Sequence, residues 1–319
     1  MTALGEATSA TERAAEKVIA AIPAWANATI AYRTATVPVI STMHRSVDSD
    51  GFAVDVDGAP FFLKITHPEA RPWIDMACVF EAASSATAAG VAPAPRYYLP
   101  DLHAIVFERL DESWRTAMMS DLQNPDIIAA ILTAKKRIHI GARFKRDWSI
   151  FDGITAVKAK LAGSGAELDS DIWWLCDAVA DIEAAFRAAG TDSVPCHADG
   201  LASNIMIGPG NAIRLVDFDN SCNTDPLYEL GSLLNEAFAF AEQMRPVIER
   251  YEGSVREVTL NRCRLYGIAD DLYWGLWASL MNVTSERRGI EFLKYAKWRL
   301  LRCRMAVRDY DFERMLRTI

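Results

Sequence analysis

Between Pro195 and Asp219 the chain carries the pattern that most narrows what it can fold into. His197, Asp199 and Asn204 stand in an H-x-D-x-x-x-x-N spacing. Two short apolar runs follow, Ile205 to Ile207 and Ile213 to Val216, about a Gly208-Pro-Gly-Asn211 turn, and the second ends in Asp217-Phe-Asp219. Taken singly, each polar residue here reads as a cap or a turn; the joint spacing is what carries information. Two apolar runs about such a turn predict a hairpin, which brings Asn204 and Asp217 to neighbouring loop ends. An amide oxygen beside a carboxylate is a hard-oxygen pair suited to Mg²⁺ held together with water and phosphate oxygens. Asp199 is placed to accept a hydroxyl proton. Base and metal ligands at these offsets point to phosphoryl transfer. We assign His197 to holding the loop rather than to moving a proton, with Asp219 a further acid at the metal site.

The 319 residues, 51% hydrophobic and 24% charged, suffice for a large core in one two-lobed domain or two small ones. A net charge of −8 disfavours nucleic acid as a partner. The ten basic residues from Arg287 to Arg317 are spaced rather than blocked and read as solvated helix faces. Six cysteines lie far apart without a CxxC pair, which fits a reducing cytoplasm. Met1 to Glu16 lacks the basic and apolar regions of a secretory signal. The longest apolar stretches, such as Leu272 to Leu280, are too short for a transmembrane segment. Walker A, G-x-S-x-G and H-E-x-x-H patterns are absent.

The first 110 residues read as a helix over about 11–22, a strand near Thr29 to Tyr32, a hairpin of Phe52 to Val56 and Phe61 to Ile65 about Asp57-Gly58, an Ala-rich helix over about 74–89, and strands at Arg96 to Leu99 and Ala104 to Glu108. Beyond Leu110 the pattern is helical, near 115–121, 124–140, 153–161, 169–189 and most of 226–315. The fold class is therefore α+β, with a small β-rich lobe at 1–110 and a larger, mainly helical lobe at 111–319. Lys64 ends a strand of the hairpin and Glu81 lies in the Ala-rich helix, a pair expected to turn the lysine toward nucleotide phosphates. Phe107 to Leu110, including Glu108 and Leu110, is where backbone groups would meet an adenine edge. A phosphate-covering loop is expected at Ser41 to Gly51. It has one glycine, so Arg45, Ser46 or Ser49 would substitute for backbone cradling.

With His197-Ala-Asp199 to Asn204 and Asp217-Phe-Asp219, the chain resembles the aminoglycoside phosphotransferase and choline/ethanolamine kinase superfamily, whose fold is protein-kinase-like. Tyr273-Trp274-Gly-Leu-Trp277, Phe292-Leu-Lys-Tyr295-Ala-Lys-Trp-Arg299 and Leu233-Leu-Asn-Glu236 resemble the choline/ethanolamine branch. The departures are the Gly-poor loop, Gly200 where leucine is commoner, and Glu229 where aspartate is usual. The resemblance implies ATP and Mg²⁺ as cofactors and a cationic amino alcohol as acceptor. It also implies a cage of Trp277 and Tyr295 closed by Glu236, with Trp274 a further wall. Trp173 and Trp174 read as core. An aminoglycoside, thiamine, homoserine or sugar acceptor is the alternative, as is a ligand-binding protein without catalysis.

Overall fold

A computed structural model describes residues 1–41 and 44–319. Alternating side chains in the front half build a six-stranded sheet in the spatial order Thr2–Ala3, Ile30–Thr34, Ser49–Val56, Ala59–Thr66, Ala104–Glu108 and Pro95–Leu99. Every neighbouring pair is antiparallel. Asp57 and Gly58 both take positive φ, 51° and 84°, which a two-residue hairpin turn of this twist requires. That turn sets the register in which Gly51 faces Lys64. One sheet face packs Tyr32, Phe52, Val54 and Leu63 against Ala15, Val18 and Ile19 of the first helix. This helix, Ala10–Ala20, starts one residue earlier than expected because Ser9 and Glu12 form a reciprocal cap: Glu12 N donates to Ser9 Oγ (3.1 Å) and Ser9 N to Glu12 Oε2 (2.9 Å).

The helix Met76–Ala88, capped by Asp75, lays Val79, Ala82, Ala83 and Ala86 onto a second core beneath the sheet. The helix expected near 115–121 begins instead as a two-residue strand. Arg115–Thr116 pairs with Ile207 and Met206, and the helix covers only Met119–Leu122. Asp121 accounts for the break, since it draws back onto Arg115 (2.7 Å) and Met118 N (2.8 Å) and starts the helix after the strand.

The remainder is mainly helical. Glu257–Thr284, 28 residues long, packs against Phe292–Val307, Pro226–Ala237 and Ile150–Leu161. Enclosed on several sides, it has no single apolar stripe, and it carries Tyr273, Trp274 and Trp277 into the third core. Among the described residues no helix is long and apolar enough to cross a membrane. On Ile172–Ala189 the inward stripe is Leu175, Val179, Ile182 and Phe186. Trp173 falls off that stripe and is 64% exposed, contrary to its reading as core; Trp174 packs against the core edge.

Candidate active site

The loop from Cys196 to Asn204 is held from below by the helix Pro226–Ala237. Glu229 Oε1 accepts from Ala198 N (2.8 Å) and from Lys135 Nζ (3.2 Å), and Oε2 from His139 Nε2 (2.6 Å). Lys135 Nζ also donates to the Asp199 carbonyl (2.8 Å). The longer glutamate thus braces the loop where the resemblance would have an aspartate. Burial alone would push its carboxyl up, but Lys135 and the bond from His139 hold it well below the usual range. Gly200 has an equally local cause. A Cβ there would lie 2.6 Å from the Ser232 backbone, so the loop meets that helix without room for a side chain. Ala198 (φ 57°) and Asp217 (φ 64°) are left-handed, a strained conformation that the surrounding contacts enforce. His197, buried, donates from Nε2 to Val216 O (3.0 Å) and stacks edge-on against Phe218. It ties the loop to the strand ending at Leu215. Asp199 is oriented by two donors, Leu201 N on Oδ1 (2.7 Å) and Asn220 Nδ2 on Oδ2 (3.0 Å).

On one side of Asp199 a cleft of ≈ 460 Å³ opens between the sheet and the 205–215 hairpin, within the range of small-molecule sites. Lys64, Glu108, Leu110, Asn204 and Asp217 all line it, with Phe62 and Val79 above and Met206 and Val216 below. Lys64 Nζ lies 2.7 Å from Asp217 Oδ1 and 2.6 Å from Asp219 Oδ1. Burial raises Asp217, and Lys64 more than offsets this, leaving it below the ordinary aspartate value. Asp219, buried and facing the Asp217 charge, is pushed up to about 7. Glu81 does not join Lys64. Its Oε2 accepts from Lys145 N (3.4 Å), because at 100° per residue it points about 200° away from Val79, the residue this helix turns to the cleft. The Val79, Ala82, Ala83, Ala86 periodicity already contained that answer. Glu108 pairs with Arg96, and its backbone N donates to Ala94 O (2.8 Å).

Of the phosphate-covering loop, Thr42 and Met43 lie outside the described residues. Val39–Ile40 pairs with Arg45–Ser46, and Ser46 and Ser49 line the cleft. Arg45 also borders the cleft, but its guanidinium reaches to the far side of Asp199. Its Cζ lies 3.5 Å from the Trp274 ring centroid, and Nη2 is 3.5 Å from Asp199 Oδ2.

Two small cavities flank Trp274 on that far side. One is bounded by Arg45, Asp199, Gly200, Glu236, Asp270 and Arg299. The other is lined by Trp73, Trp148, Tyr228, Tyr273, Trp274 and Trp277, with Asp48, Asp219 and Asn220 at its polar end. The expected cage of Trp277, Tyr295 and Glu236 is therefore not what the fold assembles. Glu236 is paired with Arg299, which is 1% exposed and also bonds Asp270 and reaches Asp271 at 2.8 Å. A glutamate so neutralised is no free counter-charge. Tyr295 is buried in the core and is not among the residues bounding either cavity. Trp274 and Trp277 do come together, edge to face at 5.4 Å. Asn220 and Tyr228, each adjoining a recognised motif residue, have no role in the sequence reading, and Tyr273 enters it only as part of the Tyr273 to Trp277 segment. Trp73 and Trp148 lie in segments with no pattern to mark them.

A description of the phosphotransferase enzyme family matches residues 40–266. The fold is shared with a choline/ethanolamine kinase family protein from Mesorhizobium loti, at TM-score 0.77 and 24% identity over 96% of this chain and 97% of that one. It is shared also with the choline kinase LicA from Streptococcus pneumoniae, at TM-score 0.75 and 16% identity over 95% and 100%. In sequence, Protein LicA of Haemophilus influenzae is 21% identical over 199 residues, 59% of this chain. The chain spans 33% and 57% of the lengths of the curated relatives it matches.

Proposed function

The chain belongs to the phosphotransferase enzyme family, and from that membership we propose that it transfers the γ-phosphoryl group of ATP, with Mg²⁺, to the hydroxyl of a cationic amino alcohol of the choline or ethanolamine type. The observation that carries the acceptor reading is the aromatic cavity beside Asp219 and Asn220, with Trp148, Tyr273, Trp274 and Trp277 in its wall and Asp48 at its polar end. Ring faces with a nearby carboxylate are what a diffuse ammonium binds, at up to about 2 kcal/mol per ring when desolvated.

In this reading the nucleotide lies in the 460 Å³ cleft with its phosphates toward Lys64. Asn204, Asp217 and Asp219 would hold Mg²⁺, a donor set of hard oxygens that suits it. Lys64 takes Asp219 Oδ1, and the buried Oδ2 has no hydrogen-bond partner, which supports a cation there. An ion held by these residues would neutralise phosphate charge. Asp199, aimed by Leu201 N and Asn220, orients the acceptor hydroxyl and takes its proton as the new O–P bond forms and the bond from the γ-phosphorus to the bridging oxygen breaks, with ADP as leaving group. Lys64 offsets charge on the phosphate oxygens, and the bracing by Glu229 and Lys135 keeps Asp199 in line.

The test is Mg²⁺-dependent transfer from labelled ATP to choline, ethanolamine and the neutral isostere 3,3-dimethylbutanol. Choline is expected to be phosphorylated at a lower KM than the isostere. Transfer to an aminoglycoside or sugar, with none to either amino alcohol, would overturn the acceptor class while leaving the family assignment intact.

A further inference from the structure

Arg45 lies against two groups that the acceptor reading assigns to its ligand, the Trp274 ring and the Asp48 carboxylate, from the side of the smaller cavity. Its guanidinium lies over the Trp274 face, beside Asp199, with Nε 3.8 Å from Asp48. It is 8% exposed. Ring face and carboxylate are the same chemistry that would bind an ammonium, so the side chain and a cationic acceptor compete for one place. The space left is small. The cavities on the two sides of Trp274 offer only ≈ 10 and ≈ 30 Å³, room for about one or two waters. An amino alcohol enters only if Arg45 leaves.

The residue also has somewhere to go, because it borders the nucleotide cleft as well as the Asp199 cavity. Its stacking on Trp274 is close, but its charge contacts are loose. The carboxylates at 3.5 and 3.8 Å are beyond good hydrogen-bond length, and the buried Nε has no hydrogen-bond partner. A terminal phosphate beside Lys64 would offer the guanidinium charge-assisted, two-pronged bonds that neither carboxylate supplies in this arrangement.

We propose that Arg45 is a specificity-determining residue that occupies the acceptor's cation site until a nucleoside triphosphate draws it into the cleft. This rests on the acceptor reading above. The terminal phosphate moves Arg45 off Trp274 and Asp199, which exposes the ring face and frees the base in one movement. Triphosphate and acceptor therefore bind with positive coupling, which by linkage is felt equally by each ligand. A diphosphate, lacking the group that recruits the guanidinium, does not open the site.

The experiment is calorimetric titration of the full chain with choline, alone and with saturating Mg²⁺ and β,γ-imido ATP or ADP. In the wild type, choline affinity is expected to rise at least tenfold with the imido nucleotide and less than twofold with ADP. In Arg45→Gln, choline is expected to bind equally well with and without nucleotide, at least tenfold tighter than the wild type alone. Nucleotide-insensitive choline binding in the wild type, or undiminished coupling in the variant, overturns the proposal. The wild-type comparison needs no substitution, so it decides even if Arg45→Gln fails to fold. If choline and ethanolamine bind neither protein under any condition, the acceptor reading has failed, and fluorescence judges Arg45 separately. The emission that Trp274→Phe removes should change with Mg²⁺ and β,γ-imido ATP in the wild type but not in Arg45→Gln. No change in the wild type overturns the role of Arg45.

Discussion

The two sides of Asp199 are built differently. On the nucleotide side, Lys64 meets Asp217 and Asp219 at 2.7 and 2.6 Å beside an open cleft of ≈ 460 Å³. On the far side, Arg45 reaches Asp199 and Asp48 only at 3.5 and 3.8 Å, and the cavities hold little more than water. The first half is assembled and waiting; the second is filled by the protein's own side chains. Short, mutually satisfied charge pairs keep a site in shape, whereas a guanidinium held by a ring face and two long carboxylate contacts can be exchanged for a ligand.

The largest effect should come at the boundary. Asp199→Ala is expected to lower kcat by about 10³-fold or more, while nucleotide affinity stays within a few-fold, since a proton acceptor acts chiefly in the transition state. Steady-state kinetics with a nucleotide titration measures both. Near-normal turnover in the folded variant would remove Asp199 from the chemistry and dissolve the division between the two sides.

Glu229→Gln strikes the brace both sides share and is expected to cost about 3–5 kcal/mol, as breaking a buried pair does. Its carboxyl is held below the ordinary value in the folded protein. Its contribution is therefore complete above about pH 4.3, the unfolded value, and is lost as pH falls toward the folded pKa. The gap between urea melts of the two proteins should stay constant from pH 7 to about pH 4.3 and narrow steadily from there to pH 3. A difference that stays constant throughout would mean that the brace does not depend on that charge.

On the far side, Trp277 is 2% exposed, so Trp277→Ala is expected to lower stability by about 3–5 kcal/mol. Trp277→Phe sharpens the comparison: at near-normal stability it should raise acceptor KM about two- to fivefold, with ATP KM unchanged, because phenylalanine is the weaker cation partner. The smallest effect is expected at Glu81→Ala, within about 0.5 kcal/mol of wild-type stability and twofold in ATP KM. A tenfold rise in ATP KM would show that Lys64 abandons its aspartates for Glu81 when nucleotide binds.

What the sequence alone determined is short in range. Asp57-Gly58 made the hairpin, Gly90 closed the Ala-rich helix, and the H-x-D-x-x-x-x-N spacing with Asp217-Phe-Asp219 placed Asp199, Asn204 and Asp217 around one loop and one hairpin. In such units, turn chemistry and side-chain period leave few alternatives. Tertiary structure alone decided which charges meet. Lys64 could have taken Glu81 and instead took Asp217 and Asp219; Glu236 was claimed by Arg299; and Arg45 crossed to Trp274, far along the chain. Coulombic attraction is blind to sequence position, and a chain with 34 basic and 42 acidic residues offers many pairings of similar strength. The choice among them falls to the packing of helices and sheet, which fixes the face each side chain presents and the distance it must span.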